Sequence, residues 1–566
     1  MNQLVQNIRT GKLSIEALPR PLAQPGEVLI ANQASVVSAG TEKMVLELAQ
    51  KSLLGKARER PDQLRRVLEK VRNEGLASTI RQVREKLDEP MTMGYSSAGV
   101  VLACGRGVQE FKPGDRVASN GAHAEVVSVP RNLCARVPEN VPFDEAAFGV
   151  LGSIALHGVR LARCELGETV LVVGLGLVGQ LTAAILKAAG VRILATDLDA
   201  SRCELAARMG ASVARANLSG KDVEQLTHGL GADAVVITAS TKSNAPIELA
   251  AEAVRKKGRV VLVGVVGLEL DRRPFYFKEA EFVVSCSYGP GRYDPAYEER
   301  GIDYPAAYVR WTEQRNIQAV LDMMGRGQLD VRPLITHRFP IERATEAYEM
   351  IQRGTEPYLG IVLEYSLTPG PSPEGRGEEV EGPSLGPSPE GRGGSARTVQ
   401  LRAAAASRNG KVGVGVLGAG NFARLVLLPK IVASKRLRPV VLCSAGGLHA
   451  AHSGAKHGFE RATSDDGEVF AAADVEAVFS ITQHDVHARH VVQVIRAGKH
   501  LFVEKPLCIS LESLREIDEA IAEMEGRVPM IMVGFNRRFA PLAQELKQAF
   551  AGTSAPLTIS YRFNAG

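Results

Sequence analysis

Three stretches of the 566-residue chain carry residue types at spacings suited to chemistry. The first is VLVVGLGLVGQLTAAILKAAG, where Gly174, Gly176 and Gly179 form G-x-G-x-x-G between an apolar run and an amphipathic one. The first glycine permits a tight turn, the second lets a pyrophosphate approach the backbone, and the third lets strand and helix pack closely. The helix that follows aims unpaired N–H groups and its positive end at the phosphates. The next apolar run, ILATDLD, carries Asp197, 23 residues after Gly174. A carboxylate there accepts from both ribose hydroxyls and repels a 2′-phosphate, which predicts NAD over NADP.

The second stretch, VGVGVLGAGNFARLVLLP, repeats the pattern as G-x-G-x-x-A with Gly418, Gly420, Asn421 and Ala423. The strand after it ends at Ser444 in place of an acid, and no arginine stands beside it, so NAD and NADP both remain open there. The third stretch is HLFVEKPL, in which Lys505 lies between Glu504 and Pro506 directly after a buried-looking strand. Ligands bind at that carboxyl end of an open α/β sheet. A lysine there can hold a nicotinamide ribose or donate to a substrate hydroxyl, with a surface ion pair to Glu504 as the plain alternative.

The histidines divide into groups. His484, His487 and His490 share a three-residue spacing that a helix would place on one face. No cysteine or carboxylate joins them at a recurrent ligand spacing, so helix-cap or cofactor-adjacent roles are expected for His484 and His487 rather than a metal site. His449, His452 and His457 read as surface residues. His123, in GAHAEVVSVP, opens a strand and is placed either to reach an active cleft or to serve as a satisfied structural histidine.

These motifs need parallel sheets to hold them, and the chain supplies the rhythm. Apolar strands alternate with helical stretches at Thr169–Val173, Leu177–Ala189, Arg192–Thr196, Ala200–Met209, Ala234–Thr238, Ala245–Val254 and Arg259–Val263. The rhythm recurs at Lys411–Leu417, from Asn421, and at Pro439–Cys443, Ala477–Ile481, His487–Ala497 and His500–Val503. This predicts an α/β protein with two doubly wound parallel sheets. Between them, residues 366–397 contain GPSPEGRG twice and almost no apolar side chain, so a flexible linker is expected over 366–408. Residues 44–89 have helical spacing, and 51–90 carry 11 Lys/Arg against 7 Asp/Glu. Solvated helix faces explain that charge, with steering of an anionic substrate as the sharper option.

Composition excludes several classes. The length suggests about three to four domains. Apolar residues make up 45% and charged residues 23%, which suits a globular protein. A net charge of +5 is too small to imply nucleic-acid binding. Seven scattered cysteines without a C-x-x-C pair indicate neither a zinc knuckle nor a disulfide framework and suit a reducing cytoplasm. MNQLVQNIRTGKLS lacks the apolar core of a signal peptide, and no apolar run approaches membrane-spanning length.

Residues 1–365 resemble the medium-chain dehydrogenase/reductase, or alcohol-dehydrogenase-like, family. The carriers are GYSSAGVVLACGRGVQEFKPGDRVA, HAEVVSVPRNLCARVPENVPFDEAAF, LGSIALHGV and GLGLVG with Asp197. The resemblance implies a GroES-like β domain over 1–145, rejoined by 295–365, beside a Rossmann domain over 146–294. Zinc-dependent members have cysteine where AGTE places Ala39, and histidine where GYS places Tyr95. A zinc-free module is therefore expected, in which Tyr95, Ser38 or Thr41 polarises the substrate oxygen and His123 lies near the cleft. Residues 409–566 resemble the Gfo/Idh/MocA family through VGVLGAGNFA, AVFSITQHDVHARHVVQVIRAGKHLFVEKPL and VGFNRRFAP. That resemblance implies a Rossmann domain over 409–540, with Lys505 at the nicotinamide end, and the start of a truncated substrate domain over 541–566. The tandem resembles bi-domain oxidoreductases of surface-polysaccharide sugar metabolism. It implies NAD(P)-linked hydride transfer at a hydroxyl or carbonyl carbon of a sugar-like small molecule by a cytoplasmic enzyme, with a homo-oligomer as an option. The alternatives are a zinc-free enone or quinone reductase and a non-catalytic dinucleotide-binding protein.

Overall fold

The computed structural model describes residues 1–50, 88–366, 397–403, 410–524, 526, 528–554, 556, 558 and 560. Most of the helical segment expected over 44–89, and most of the expected linker, lie outside these residues. The chain divides into two compact units, Met1–Val399 with Ala445–Leu448, and Gln400–Ser444 with His449–Gly566.

The first unit begins with β-structure. A three-stranded antiparallel sheet joins Leu13–Ala17, Asn2–Asn7 and Pro90–Thr92. A seven-stranded sheet runs Ile335–Pro340, Gly360–Glu364, Glu27–Val37, Ser97–Cys104, Arg116–Ser119 and Cys134–Arg136, with Val126–Pro130 also paired to Glu27–Val37. Glu27–Val37 is the spine, and its EVLIANQASVV sequence is buried at nine of eleven positions because both of its faces are covered.

A six-stranded parallel sheet follows, in the order Val213–Ala216, Arg192–Asp197, Thr169–Val173, Ala232–Ile237, Val254–Leu262 and Glu281–Val284. The chain order reverses between Thr169–Val173 and Ala232–Ile237, and that reversal opens the crevice in which doubly wound sheets bind ligands. Two details differ from the sequence expectation. The strand expected at Arg259–Val263 starts at Val254, directly after helix Ala245–Ala253. The sheet also gains two strands, Val213–Ala216 and Glu281–Val284, one at each edge.

Helix Gly149–Ala162 joins the β-rich part to the parallel sheet and is seated tightly on both sides. A Cβ on Gly152 would lie 2.6 Å from Val320 Cγ1, and one on Gly158 would lie 2.5 Å from Val263 Cγ2. These close approaches need glycine.

The second unit is another parallel sheet, in the order Thr398–Gln400, Arg461–Thr463, Leu437–Cys443, Val412–Leu417, Ala477–Ser480, His500–Glu504 and Ile531–Gly534. The linker expected to run to 408 is thus interrupted by strand Thr398–Gln400, where the β-branched Thr-Val pair replaces Gly and Pro. The helix expected from Asn421 opens as a π-turn over Ala423–Leu427 before α-helix Leu428–Ala433. Pro429 lacks an N–H to return to the preceding turn and its ring crowds that turn's carbonyl, which accounts for the widening.

Candidate functional site

The first cradle sits where Thr169–Val173 gives way to helix Leu177–Ala188. Gly174 has φ +95°, and a Cβ there would lie 2.6 Å from the Ala239 nitrogen. A Cβ on Gly179 would lie 2.0 Å from the Gly174 carbonyl oxygen. Gly176, by contrast, faces open space, with nothing within 4 Å of a built Cβ. The outer glycines therefore shape the turn, and the middle one leaves room for a phosphate. No side chain caps the helix at Gly176, so its first N–H groups are left for an anion.

Asp197 ends strand Arg192–Asp197. Its Oδ2 accepts from Leu175 N at 2.5 Å, and Oδ1 accepts from Asp199 N at 3.0 Å. Arg202 approaches the same carboxylate at 3.9 Å. One residue of this cradle went unread in the sequence. Thr238, just past strand Ala232–Ile237, donates from Oγ1 to the Gly174 carbonyl at 2.5 Å and ties the turn down. Its signal was its place one residue beyond an apolar strand that pairs with the cradle strand.

The β-rich part of the same unit contains a polar network built on Glu42, which is 3% exposed. Glu42 Oε1 accepts from Ser38 N at 2.9 Å, and Oε2 accepts the Tyr348 hydroxyl. His123 Nε2 stands 3.5 Å from Oε2, and His123 Nδ1 pairs with Ser35 Oγ at 2.7 Å. Ser35 Oγ in turn meets the Tyr365 hydroxyl at 2.7 Å. Burial pushes the Glu42 carboxyl up, but His123, Tyr348 and the Ser38 N–H outweigh it, so the net shift is downward. Gly94 packs on the His123 ring, where a Cβ would overlap it at 2.5 Å.

Nearer the surface, the Tyr95 hydroxyl donates to Ser38 Oγ at 2.6 Å and lies 3.4 Å from Thr41 Oγ1. Burial raises the Tyr95 phenol above its ordinary value, and the Glu42 charge adds to the rise. Tyr95, Ser38 and Thr41, named as alternatives from the sequence, lie together in the fold. His123, expected either near a cleft or as a structural histidine, is fully buried and meets Ser35 and Glu42. Glu42 and Tyr348 were not singled out in the sequence; they lie 306 residues apart and only the fold joins them.

The second cradle has the same backbone logic. Gly418 has φ +99°, and a Cβ there would lie 2.3 Å from the Ile481 carbonyl oxygen. Gly420 again faces open space, and Ala423 is fully buried. Asn421 accepts from Arg424 at 2.6 Å. Ser444 follows strand Leu437–Cys443, and its N–H donates to Thr463 O at 3.0 Å.

Lys505 is exposed after strand His500–Glu504, and its bond to Pro506 is cis. Glu504 lies against Gly534 of the neighbouring strand. His487 fixes this loop, with Nδ1 2.6 Å from the Pro506 carbonyl and Nε2 3.2 Å from the Thr482 carbonyl. His490 turns to Ser480 and Asp466 instead, so the two buried histidines of the triplet serve different partners.

Comparison with known proteins agrees with this division. Residues 68–159 match the alcohol dehydrogenase GroES-like domain, and residues 178–300 match the zinc-binding dehydrogenase family. Residues 412–535 match an oxidoreductase family with an NAD-binding Rossmann fold, Gfo/Idh/MocA. Sorbitol dehydrogenase of Homo sapiens is 28% identical over 316 residues, covering 50% of this chain and 81% of that protein. Sorbitol dehydrogenase of Bos taurus is 29% identical over 301 residues, covering 47% and 78% respectively. Galactitol-1-phosphate dehydrogenase from Escherichia coli has the same fold over 64% of this chain and all of its own, with a TM-score of 0.50 and 18% identity.

These matches correct the expectation of a zinc-free module, because the family that covers its Rossmann part is the zinc-binding one. The side chains do not fit a metal at the expected place. Ala39 offers no side-chain donor atom, Glu42 accepts from Tyr348 and Ser38, and His123 Nδ1 meets Ser35, with its Nε2 facing Glu42 at 3.5 Å without a hydrogen bond. Among the described residues no group of three or more His, Cys, Asp or Glu could hold a metal ion, so no step below runs through one. Among those residues, too, no helix is long and apolar enough to cross a membrane. The first module thus carries domains that match the alcohol dehydrogenase GroES-like and zinc-binding dehydrogenase families, and the second carries one that matches the Gfo/Idh/MocA oxidoreductases.

Proposed function

We propose that the first module interconverts a secondary alcohol and a carbonyl on a polyol or sugar, with NAD as the preferred partner. The observation that carries this is a dinucleotide cradle ending in Asp197, in the same compact unit as the Tyr95–Ser38–Thr41 hydroxyl cluster. The sorbitol dehydrogenase relatives support a polyol as the substrate class. The bound nicotinamide supplies or accepts the hydride.

The protein's own groups handle orientation and the proton. Gly174, Gly176 and Gly179 hold the pyrophosphate against the helix start, and Asp197 selects the ribose. Tyr95, kept protonated by burial, donates to the carbonyl oxygen in reduction and takes the proton back in oxidation. Ser38 and Thr41 hold the phenol in place. Glu42, fixed by His123 and Tyr348, anchors the Ser38 backbone behind it. The second module binds a second dinucleotide through Gly418, Gly420, Asn421 and Ala423, with Lys505 at its nicotinamide end and Glu504 and Ser444 beside it. We extend the substrate to sugars destined for surface polysaccharide on the resemblance alone.

The test is NAD(P)H formation or consumption on a panel of hexitols, aldoses and ketoses. Turnover on at least one polyol or sugar is expected. Tyr95→Phe should lower kcat by about 10²–10⁴-fold while leaving the NAD Kd unchanged. Full activity in Tyr95→Phe would remove the phenol from the mechanism.

A further inference from the structure

Helix Leu177–Ala188 leads away from the first cradle, and about 18 Å further along, at its other end, lies an open cavity. Its volume is about 510 Å³. Leu156, Val159, Ile185 and Met323 give it an apolar floor, and Arg160, Arg163 and Trp311 stand at its rim. Trp311 is the single tryptophan of the chain. The Arg160 guanidinium carbon lies 3.4 Å from the centre of the indole, and that of Arg310 lies 4.0 Å from it.

The charges here are unbalanced. Arg160 Nε donates to Asn316 Oδ1 at 2.9 Å, but the outer N–H groups of its fork have no protein partner among the described residues. Within those residues none of Arg160, Arg163 and Arg310 has a carboxylate within the 4.0 Å of an ion pair. Some other arginines of the unit are paired with acids, as in Arg255 with Asp233, Arg292 with Glu298 and Arg338 with Asp144. Burial and the Arg310 charge push Arg160 down to about 10, with no acid acting the other way. Arg160 and Arg310 on one aromatic ring repel each other, Arg163 lines the same cavity, and an anion beside them relieves that repulsion.

We propose that this cavity binds a small organic anion with a flat apolar body. Its carboxylate or phosphate meets Arg160 and Arg163, and its apolar part lies on Leu156, Val159 and Met323 against Trp311. The site lies apart from the first cradle and does not depend on the reaction proposed above.

Trp311 fluorescence provides the test, because it is the chain's only indole. The full-length protein, with NAD⁺ already saturating, is titrated with benzoate, phenyl phosphate, benzyl alcohol and inorganic phosphate. Saturable quenching by benzoate or phenyl phosphate is expected, at least about tenfold tighter than by benzyl alcohol or inorganic phosphate. Which of the two anions binds tighter distinguishes a carboxylate ligand from a phosphate one. Arg160→Gln should weaken that binding about tenfold or more, and the exposed Arg163→Gln should do so with an unchanged Tm and an unchanged NAD⁺ affinity. If Arg160→Gln does not fold, Arg163→Gln and Arg310→Gln carry the comparison. No saturable signal, equal binding of benzyl alcohol, or anion binding that survives the folded variants would each overturn the proposal.

Discussion

The two cradles share one backbone and differ in what surrounds it. Each opens with a glycine near φ +95° to +99° whose Cβ would strike a facing loop, and each has a middle glycine that faces open space. The first leads into a regular 12-residue helix and ends its second strand with Asp197. The second leads into a π-turn before Pro429 and follows its second strand with Ser444. In the function proposed above, the glycines hold the pyrophosphate, while the strand end and the helix start select the nucleotide. Fold and selectivity are set by different residues a few positions apart.

The largest effects should come from the opening glycines. Gly174→Ala and Gly418→Ala force a Cβ into the left-handed region and into neighbouring backbone, costing about 1–3 kcal/mol from strain alone. Calorimetry with NAD⁺ should show each variant losing uptake at its own cradle and keeping the other. Loss of both sites from one substitution would break the independence of the two regions. Next in size is an exchange of strand-end residues. Asp197→Ser should reduce the NAD-over-NADP preference of the first cradle about tenfold to a hundredfold, and Ser444→Asp should raise that of the second, as expected for charge-assisted hydrogen bonds. An unchanged Kd ratio in both would remove the strand end as the selector. A smaller effect is expected at the EKP loop. His487→Ala removes the anchor of the Pro506 carbonyl and should weaken dinucleotide binding at the second cradle about fivefold, with the first unaffected.

The smallest expected effect separates the first module's two buried acids. The Glu42 carboxyl lies below its ordinary 4.5, so its stabilisation is present above about pH 4.5 and is lost as pH falls through its folded value. Glu313 is fully buried, and neither carboxylate oxygen has a hydrogen-bond partner. Burial, reinforced by the Glu298 charge, raises it to about 8. The folded state then holds a proton that the unfolded chain releases, so stability falls between about pH 4.5 and 8 and levels above. Unfolding followed by Trp311 fluorescence should show Glu313→Gln raising Tm most above pH 8. Glu42→Gln should lower Tm at neutral pH and much less near pH 4.

Much of this was legible in the sequence because it is local. Strand, glycine turn and helix follow one another within about twenty residues, so both cradles, Asp197 and Lys505 could be placed from spacing. What escaped depends on distant segments meeting. Thr238 reaches Gly174 only across the strand-order reversal, and Tyr348 reaches Glu42 only through the return of the chain to the first sheet. Edge strand Glu281–Val284 is half exposed and lacks a strong alternation. The π-turn was foreshadowed by Pro429, whose missing N–H was not weighed against the apolar run before it. The zinc expectation rested on two positions, whereas the family matches rest on whole domains.

Helix Gly149–Ala162 carries a mechanical consequence. With Gly152 flush against Val320 and Gly158 flush against Val263, it can neither roll nor slide without steric collision on one flank. These two contacts fix its register between the β-rich part and the parallel sheet.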